Sequence, residues 1–448
     1  MAQKFKRKNL FQITFPLFFY GAMTIGVSFA DTMLLSNYQE NLAASVSMAN
    51  QILGVAYDLS GLISIGALVL ISQYLGRDEV AKARGVAVTG IIASFGLGAL
   101  IASVLVIGAR FFAEWVNTPA EIYEDVVIYV YIIAAAMMFN GFIMAAKAVL
   151  TGFGHTLEIL VLGLIGNVTY IGIEYMMVYG VWIFPEMGIY GAGLSTVVVR
   201  LSSIALLLFI LYWRLGITLA DLEAGFWQTV RKILKISTPS VGENLSYNLY
   251  QLAIVSMVAA LGVSGVLTRS YSLTVASLLL IITMVISHGN QVLVGYDKGG
   301  DDDETAFRRA RKTALATAGV GMIASLLLYI FSDFFAGLLT SDPEILASVK
   351  QILLVQIFVT PCSAVNLILF NSLKACGYVN RPVLTNLTIT FALALPLAYL
   401  AMEVLDVGVE GLWYAYLTEE ALKGTAMYLL WRRRTWQSVR LIPDAAAG

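Results

Sequence analysis

The strongest constraint in this sequence is its division into twelve predominantly apolar stretches, each longer than about 20 residues. That is the length an α-helix needs to cross roughly 30 Å of hydrocarbon. The stretches are 10–36, 43–74, 86–112, 122–150, 158–183, 188–213, 233–262, 266–296, 313–337, 345–374, 382–404 and 407–431. Composition agrees. Of 448 residues 59% are hydrophobic and 13% charged, with mean hydropathy +0.80. A soluble domain carries about 25% charged residues. A chain with half that share cannot clothe itself in polar surface, so an all-α membrane protein is expected.

Several function classes drop out early. A net charge of −1 offers no basic patch for nucleic acid. Cys362 and Cys376, fourteen residues apart on one helix, would lie about 21 Å from each other, too far for a disulfide. Two histidines, His155 and His288, are too few for most metal or acid–base constellations. A membrane-embedded enzyme would show clustered motifs such as H-E-x-x-H; none is present, so no enzyme activity and no cofactor are expected. No cleavable signal peptide is expected, because the apolar run from Leu10 to Ser36 is too long and lacks a small-residue cleavage site.

Charge placement gives a topology. Lys4, Lys6, Arg7 and Lys8 precede the first span, while Arg77, Lys82 and Arg84 follow the second. Arg231, Lys232 and Lys235 precede the seventh; Lys298, Arg308, Arg309, Arg311 and Lys312 follow the eighth; Arg432, Arg433 and Arg434 follow the twelfth. With an even count all of these fall on one side, which the positive-inside rule makes cytoplasmic, together with both termini. Glu114, Glu121, Asp333, Asp342 and Glu344 mark the other side; Arg110, Arg269 and Lys350 are the exceptions there.

The chain also repeats itself. The segment beginning Phe111 and ending Ile122 reads again from Phe334 to Ile345, a shift of 223 residues. The same shift carries Pro16 onto Pro239, Gly76 onto Gly299 and Gly154 onto Gly377; it becomes 220 for Gly188 and Gly191, which map onto Gly408 and Gly411. Each half then holds six spans and has the same topology, related by a pseudo-two-fold axis along the membrane normal. Such halves can rock about a central site, the geometry of alternating access. The expected divisions are an N-terminal lobe at 1–213, a cytoplasmic linker at 214–232 and a C-terminal lobe with a short tail at 233–448. Within the linker, Leu219 to Trp227 reads as a short interfacial segment.

On these residues the chain resembles the multidrug and toxic compound extrusion (MATE) family, with mixed NorM-like and DinF-like features. The resemblance covers roughly residues 10–435. Its carriers are Phe15-Pro16 with Phe29 to Thr32; Ile71 to Gly76 with Asp78; Thr151 to Gly154 with Asn167; Pro185 to Thr196; and Leu373 to Gly377 with Arg381-Pro382, Pro396 and Gly408 to Trp413. It implies two six-helix lobes and efflux of amphipathic, often cationic, compounds driven by protons or sodium.

Ionisable residues inside spans are costly and default to functional candidates. Here they are Asp31, Asp58, Lys147, Glu174, Arg200, Glu243, His288, Glu419, Glu420 and Lys423. The resemblance makes Asp31 a cation-coupling residue and assigns Thr196 a supporting hydroxyl. Glu174 stands where the family carries an aspartate or asparagine. Two neighbouring carboxyls can share a proton or offer hard oxygens to sodium, in which case Asp31 and Glu174 would be metal ligands. Tyr170 stands where the family has a ligand asparagine one turn before the acid; Asn167, a turn earlier, is the substitute. Glu243 is one turn after Pro239, and the family's second-lobe partner aspartate is Ser363 in this chain.

Substrate contact is expected at Glu243, Asp58, Tyr20, Tyr247 and Met138, with Tyr250 and Met137 as further aromatic and adaptable apolar surface. Lys147 is read as a partner for a first-lobe carboxylate. Glu419, Glu420 and Lys423, on consecutive turns, read as a self-neutralising group. The expected function is a monomeric cation-coupled antiporter of the plasma membrane. The competing reading is a flippase for lipid-linked precursors, or an exporter of one specific metabolite, in the same superfamily.

Overall fold

A computed structural model describes residues 7–222, 225–405 and 407–442, with nothing of the side chains of Glu40 and Glu403. Lys4, Lys6, Glu223 and Ala224 lie outside the described residues. Twelve long helical rods follow one another among those residues. The first six are α1 Leu10–Tyr38, α2 Asn41–Gly76, α3 Val80–Trp115, α4 Tyr123–Gly152, α5 Thr156–Tyr179 and α6 Ile189–Leu215. The others are α7 Phe226–Ala260, α8 Gly262–Gly299, α9 Asp303–Ile330, α10 Pro343–Ala375 and α11 Asn380–Met402, and α12 Val409–Arg432.

Each helix coincides with one of the twelve apolar stretches, but several run further. α9 starts at Asp303, ten residues before its apolar stretch. The extra turns carry Arg308, Arg309, Arg311 and Lys312, so hydropathy reports the lipid-embedded length and not the hydrogen-bonded one. Ten of the twelve, among the described residues, are long and apolar enough to cross a membrane by length and composition. The remaining two, α7 and α12, are 35 and 24 residues long. They carry Arg231, Lys232, Lys235 and Glu243 in α7, and Glu410, Glu419, Glu420 and Lys423 in α12.

Packing divides the chain into two compact units, Met1–Val241 and Gly242–Gly448. The start of α7 belongs to the first unit because it docks on α2: the Gly66 N–H donates to Ser237 Oγ at 2.9 Å. In the first unit, α3 and α4 meet backbone to backbone. A Cβ on Gly98 would come 2.8 Å from Met138 Cα, and one on Gly141 would come 2.4 Å from the Ser94 carbonyl oxygen. Small residues at such crossings let dispersion act where no water remains to be expelled. Large apolar side chains stay exposed on the outer surfaces, Ile107 at 87% and Val168 at 69%, as lipid-facing positions should.

The repeat is visible in backbone conformation. Gly154 and Gly377 both end a helix at positive φ, +76° and +80°, and Gly188 and Gly408 both precede one, at +50° and +75°. Asp78 and Asp301, again 223 apart, share φ near +60° (60° and 58°). Pro16 and Pro239 both lie inside their helices. One difference stands out in the second unit. α11 contains π-turns at Thr390–Ala394 and Leu400–Val404. Pro396 has no N–H for the Ala392 carbonyl and its ring crowds that carbonyl, which favours a widened turn just upstream.

Candidate ion-coupling site

In the first unit α1 packs against α5, and the two are pinned near their shared end. The Tyr179 hydroxyl donates to the Leu34 carbonyl at 2.9 Å, the Tyr38 hydroxyl donates to Glu186 at 2.8 Å, and the two rings meet edge to face at 5.2 Å. This register sets Asp31 of α1 opposite Tyr170 and Glu174, one turn apart on α5. The Tyr170 hydroxyl lies 2.7 Å from Asp31 Oδ1 and 3.0 Å from Glu174 Oε1. Asp31 and Glu174 also lie within direct hydrogen-bonding reach of each other. Glu174 is 1% exposed, and its Oε2 has no hydrogen-bond donor. Among the described residues no lysine or arginine forms an ion pair with either acid.

Of the five residues expected to form this site, the structure brings Asp31, Tyr170 and Glu174 together. Tyr170, read as a departure from the family's ligand pattern, is the group that bridges the acids. Asn167 does not join them; its Nδ2 is buried without a partner. The Thr196 hydroxyl donates to the Ala192 carbonyl on its own helix at 3.4 Å. Lys147, expected to pair with a carboxylate, instead donates to the Tyr20 hydroxyl at 2.6 Å and lies 4.8 Å from that ring's centre. Arg200 is held in the same way by Tyr57, at 2.9 Å. Asp58 is exposed on α2, and Met138 is half-buried on α4.

The second unit deals with its acids differently. Lys423 pairs with Glu419 at 2.7 Å across one turn, as the spacing suggested. Glu419 also accepts from Thr390 at 2.7 Å, within the π-turn, and from Tyr250 at 3.1 Å. Glu420 is not part of that pair; Asn366 donates to it at 3.2 Å and Ser363 is a further partner. Glu243 accepts from Asn386 at 3.1 Å and lies in the field of Lys374 and Lys423. Sequence reasoning missed this network. Asn366, Asn386 and Thr390 carry no charge, so nothing singled them out.

Twelve long helices, ten of them apolar enough to cross a membrane among the described residues, define a polytopic membrane protein. The MatE family model matches residues 16–176 and again 239–400, which recovers the duplication in its own register. A Bacillus subtilis (strain 168) protein named as an uncharacterized transporter, YisQ, is 30% identical over 434 residues, 96% of this chain and 95% of that one. A probable multidrug resistance protein NorM of Thermotoga maritima is 22% identical, over 96% and 93% of the two chains. The solved Vibrio cholerae MATE transporter VcmN in its bent form aligns at TM-score 0.85 with 18% identity, over 95% of each chain. This chain belongs to the MatE family of efflux transporters, with twelve transmembrane helices in two six-helix lobes, as expected.

Proposed function

We propose that this protein is a proton-coupled antiporter that exports amphipathic organic compounds by alternating access, with Asp31, Tyr170 and Glu174 as the coupling group. One observation carries the reading: a single phenolic proton faces two carboxyl groups. Tyr170 can donate to one of them only. The second contact becomes a hydrogen bond when that carboxyl is protonated on the oxygen facing Tyr170, so that its O–H donates to the phenolic oxygen. Two carboxylates with no cation beside them in a low-dielectric site cannot both stay ionised without large cost. Taking up one proton turns a repulsive triad into a satisfied one; releasing it reverses this. A sodium ion would need the same oxygens as ligands, and it would compete there with the Tyr170 hydroxyl that already contacts both acids.

Glu243, Asp58, Tyr20, Tyr247 and Met138 are proposed as substrate contacts, and the cargo as cationic. The likeness to a probable multidrug resistance protein, NorM, supports broad rather than single-substrate export. The protein is proposed to work as a monomer in the plasma membrane with both termini in the cytoplasm, as its basic loops favour. It needs no cofactor beyond the coupling ion.

The test is transport in proteoliposomes of the whole chain, with a pH gradient or a sodium gradient imposed alone. One pH unit corresponds to about 1.4 kcal/mol, or roughly tenfold accumulation for one-for-one exchange. The pH gradient by itself is expected to drive a fluorescent organic cation, and Asp31→Asn to abolish that drive. Movement under the sodium gradient alone would overturn the proton reading. Equal transport by the parent and Asp31→Asn would remove the site.

A further inference from the structure

The second unit holds a cavity of about 330 Å³ between α7, α8, α10 and α12, within the range of small-molecule pockets. Its walls are aromatic and aliphatic, with Tyr247, Tyr250, Tyr416 and Trp413 the largest contributors, and the one cationic residue lining it is Arg269. Basic residues near span ends usually belong to the headgroup region, and the apolar stretch 266–296 made Arg269 look like one of these. The helix begins earlier, at Gly262, where the chain turns at φ +79°. Arg269 is thus two turns, about 10 Å, along α8.

What surrounds Arg269 is unusual for a cation at such depth. Its Nη2 donates to Gln251 Oε1 at 2.8 Å, and Gln251 Nε2 donates in turn to the Tyr247 hydroxyl at 2.5 Å. No carboxylate forms an ion pair with it among the described residues. Glu419, which accepts from the cavity-lining Tyr250 hydroxyl, is already paired with Lys423. A guanidinium has five N–H donors in a planar fork, and the structure gives this one a single partner. Gln251 holds the fork in place, and Arg269 is among the residues that line the cavity. A planar fork of that kind matches the two oxygens of a carboxylate or phosphate. The tyrosine and tryptophan faces beside it suit a flat apolar body.

We propose that this cavity is a binding site for amphiphiles that carry an oxyanion on an aromatic or acyl body, with Arg269 taking the oxyanion and the Tyr247–Trp413 walls taking the body. The ligand chemistry is opposite in sign to the cationic cargo proposed above, and it does not depend on coupling through Asp31. The same chemistry is offered by a soluble aromatic carboxylate and by the phosphate of an anionic lipid.

The experiment is calorimetric binding to the purified full chain, first in neutral detergent. The probes are naphthalene-2-acetic acid, ionised at neutral pH, and its uncharged amide, which share one ring system. The parent is expected to prefer the acid by about tenfold or more, the usual worth of a charge-assisted bidentate contact. Arg269→Gln should erase that preference, and Arg269→Lys should retain only part of it. Equal binding of acid and amide by the parent overturns the proposal without any variant. A full preference surviving in Arg269→Gln overturns it as well. Repeating the titration in nanodiscs separates the sources. Weakening by phosphatidylglycerol but not by phosphatidylcholine supports the site with lipid as its occupant; unchanged affinity in both supports it with a soluble anion.

Discussion

The two units share one repeated pattern yet treat the Asp31–Glu174 pair and Glu419 in opposite ways. In the first, Asp31 and Glu174 face each other through Tyr170, and among the described residues neither forms an ion pair with a lysine or arginine. In the second, Glu419 is clamped by Lys423 and saturated by Thr390 and Tyr250. A carboxylate with a fixed counter-charge and a full set of donors has little reason to exchange a proton. An acid pair sharing one phenolic hydrogen has every reason to. The fold supplies equivalent helices; side-chain chemistry decides which acids meet a fixed counter-charge and which do not.

The comparison can be broken at its strongest point first. Lys423→Met leaves Glu419, 1% exposed, as a buried charge without its counter-ion. Loss of one member of a buried pair costs about 3–5 kcal/mol, to be read as a large fall in the thermal unfolding midpoint in detergent. A midpoint close to the parent's would mean that the second-unit acid is not held as a permanent ion.

A smaller effect is expected at the bridge of the first unit. Tyr170→Phe removes one hydroxyl and keeps both acids, so pH-driven transport should slow about tenfold, equivalent to roughly 1.4 kcal/mol. Its activity curve should also move along the pH axis. Thr390→Val, which removes a donor from Glu419, should leave that curve in place. Equal behaviour of the two variants would erase the distinction between exchangeable and fixed acids.

The smallest effect concerns the repeat itself. Gly154→Ala and Gly377→Ala both place a side chain at positive φ, a strain of about 1–2 kcal/mol. At Gly154 the new Cβ has room, 3.5 Å from Lys8 Cγ, whereas at Gly377 it would come 2.6 Å from Leu441 Cγ. Gly377→Ala should therefore lower the unfolding midpoint more than Gly154→Ala. Equal falls would mean that Leu441 yields and that backbone strain alone sets both costs.

Much of this was legible in one dimension. Lipid offers no hydrogen bonds, so every backbone group inside it must be satisfied within its own helix. That requirement writes each span into the sequence as a run of apolar residues, and the count of twelve followed from it. The duplication was readable because proline inside a helix and glycine at positive φ are backbone necessities at fixed places, Pro16 with Pro239 and Gly154 with Gly377. Asp31 and Glu174 were readable because ionisable groups in hydrocarbon are too costly to be incidental.

The tertiary structure decided the partnerships. Tyr170 bridges to an acid 139 residues away, and Arg269 borders a cavity because Gln251, on the preceding helix, turns its fork there. Such contacts depend on the rotation and axial register of one helix against another, which change with a single residue's shift of 100° and 1.5 Å. Hydropathy averages over the helix surface and is blind to both.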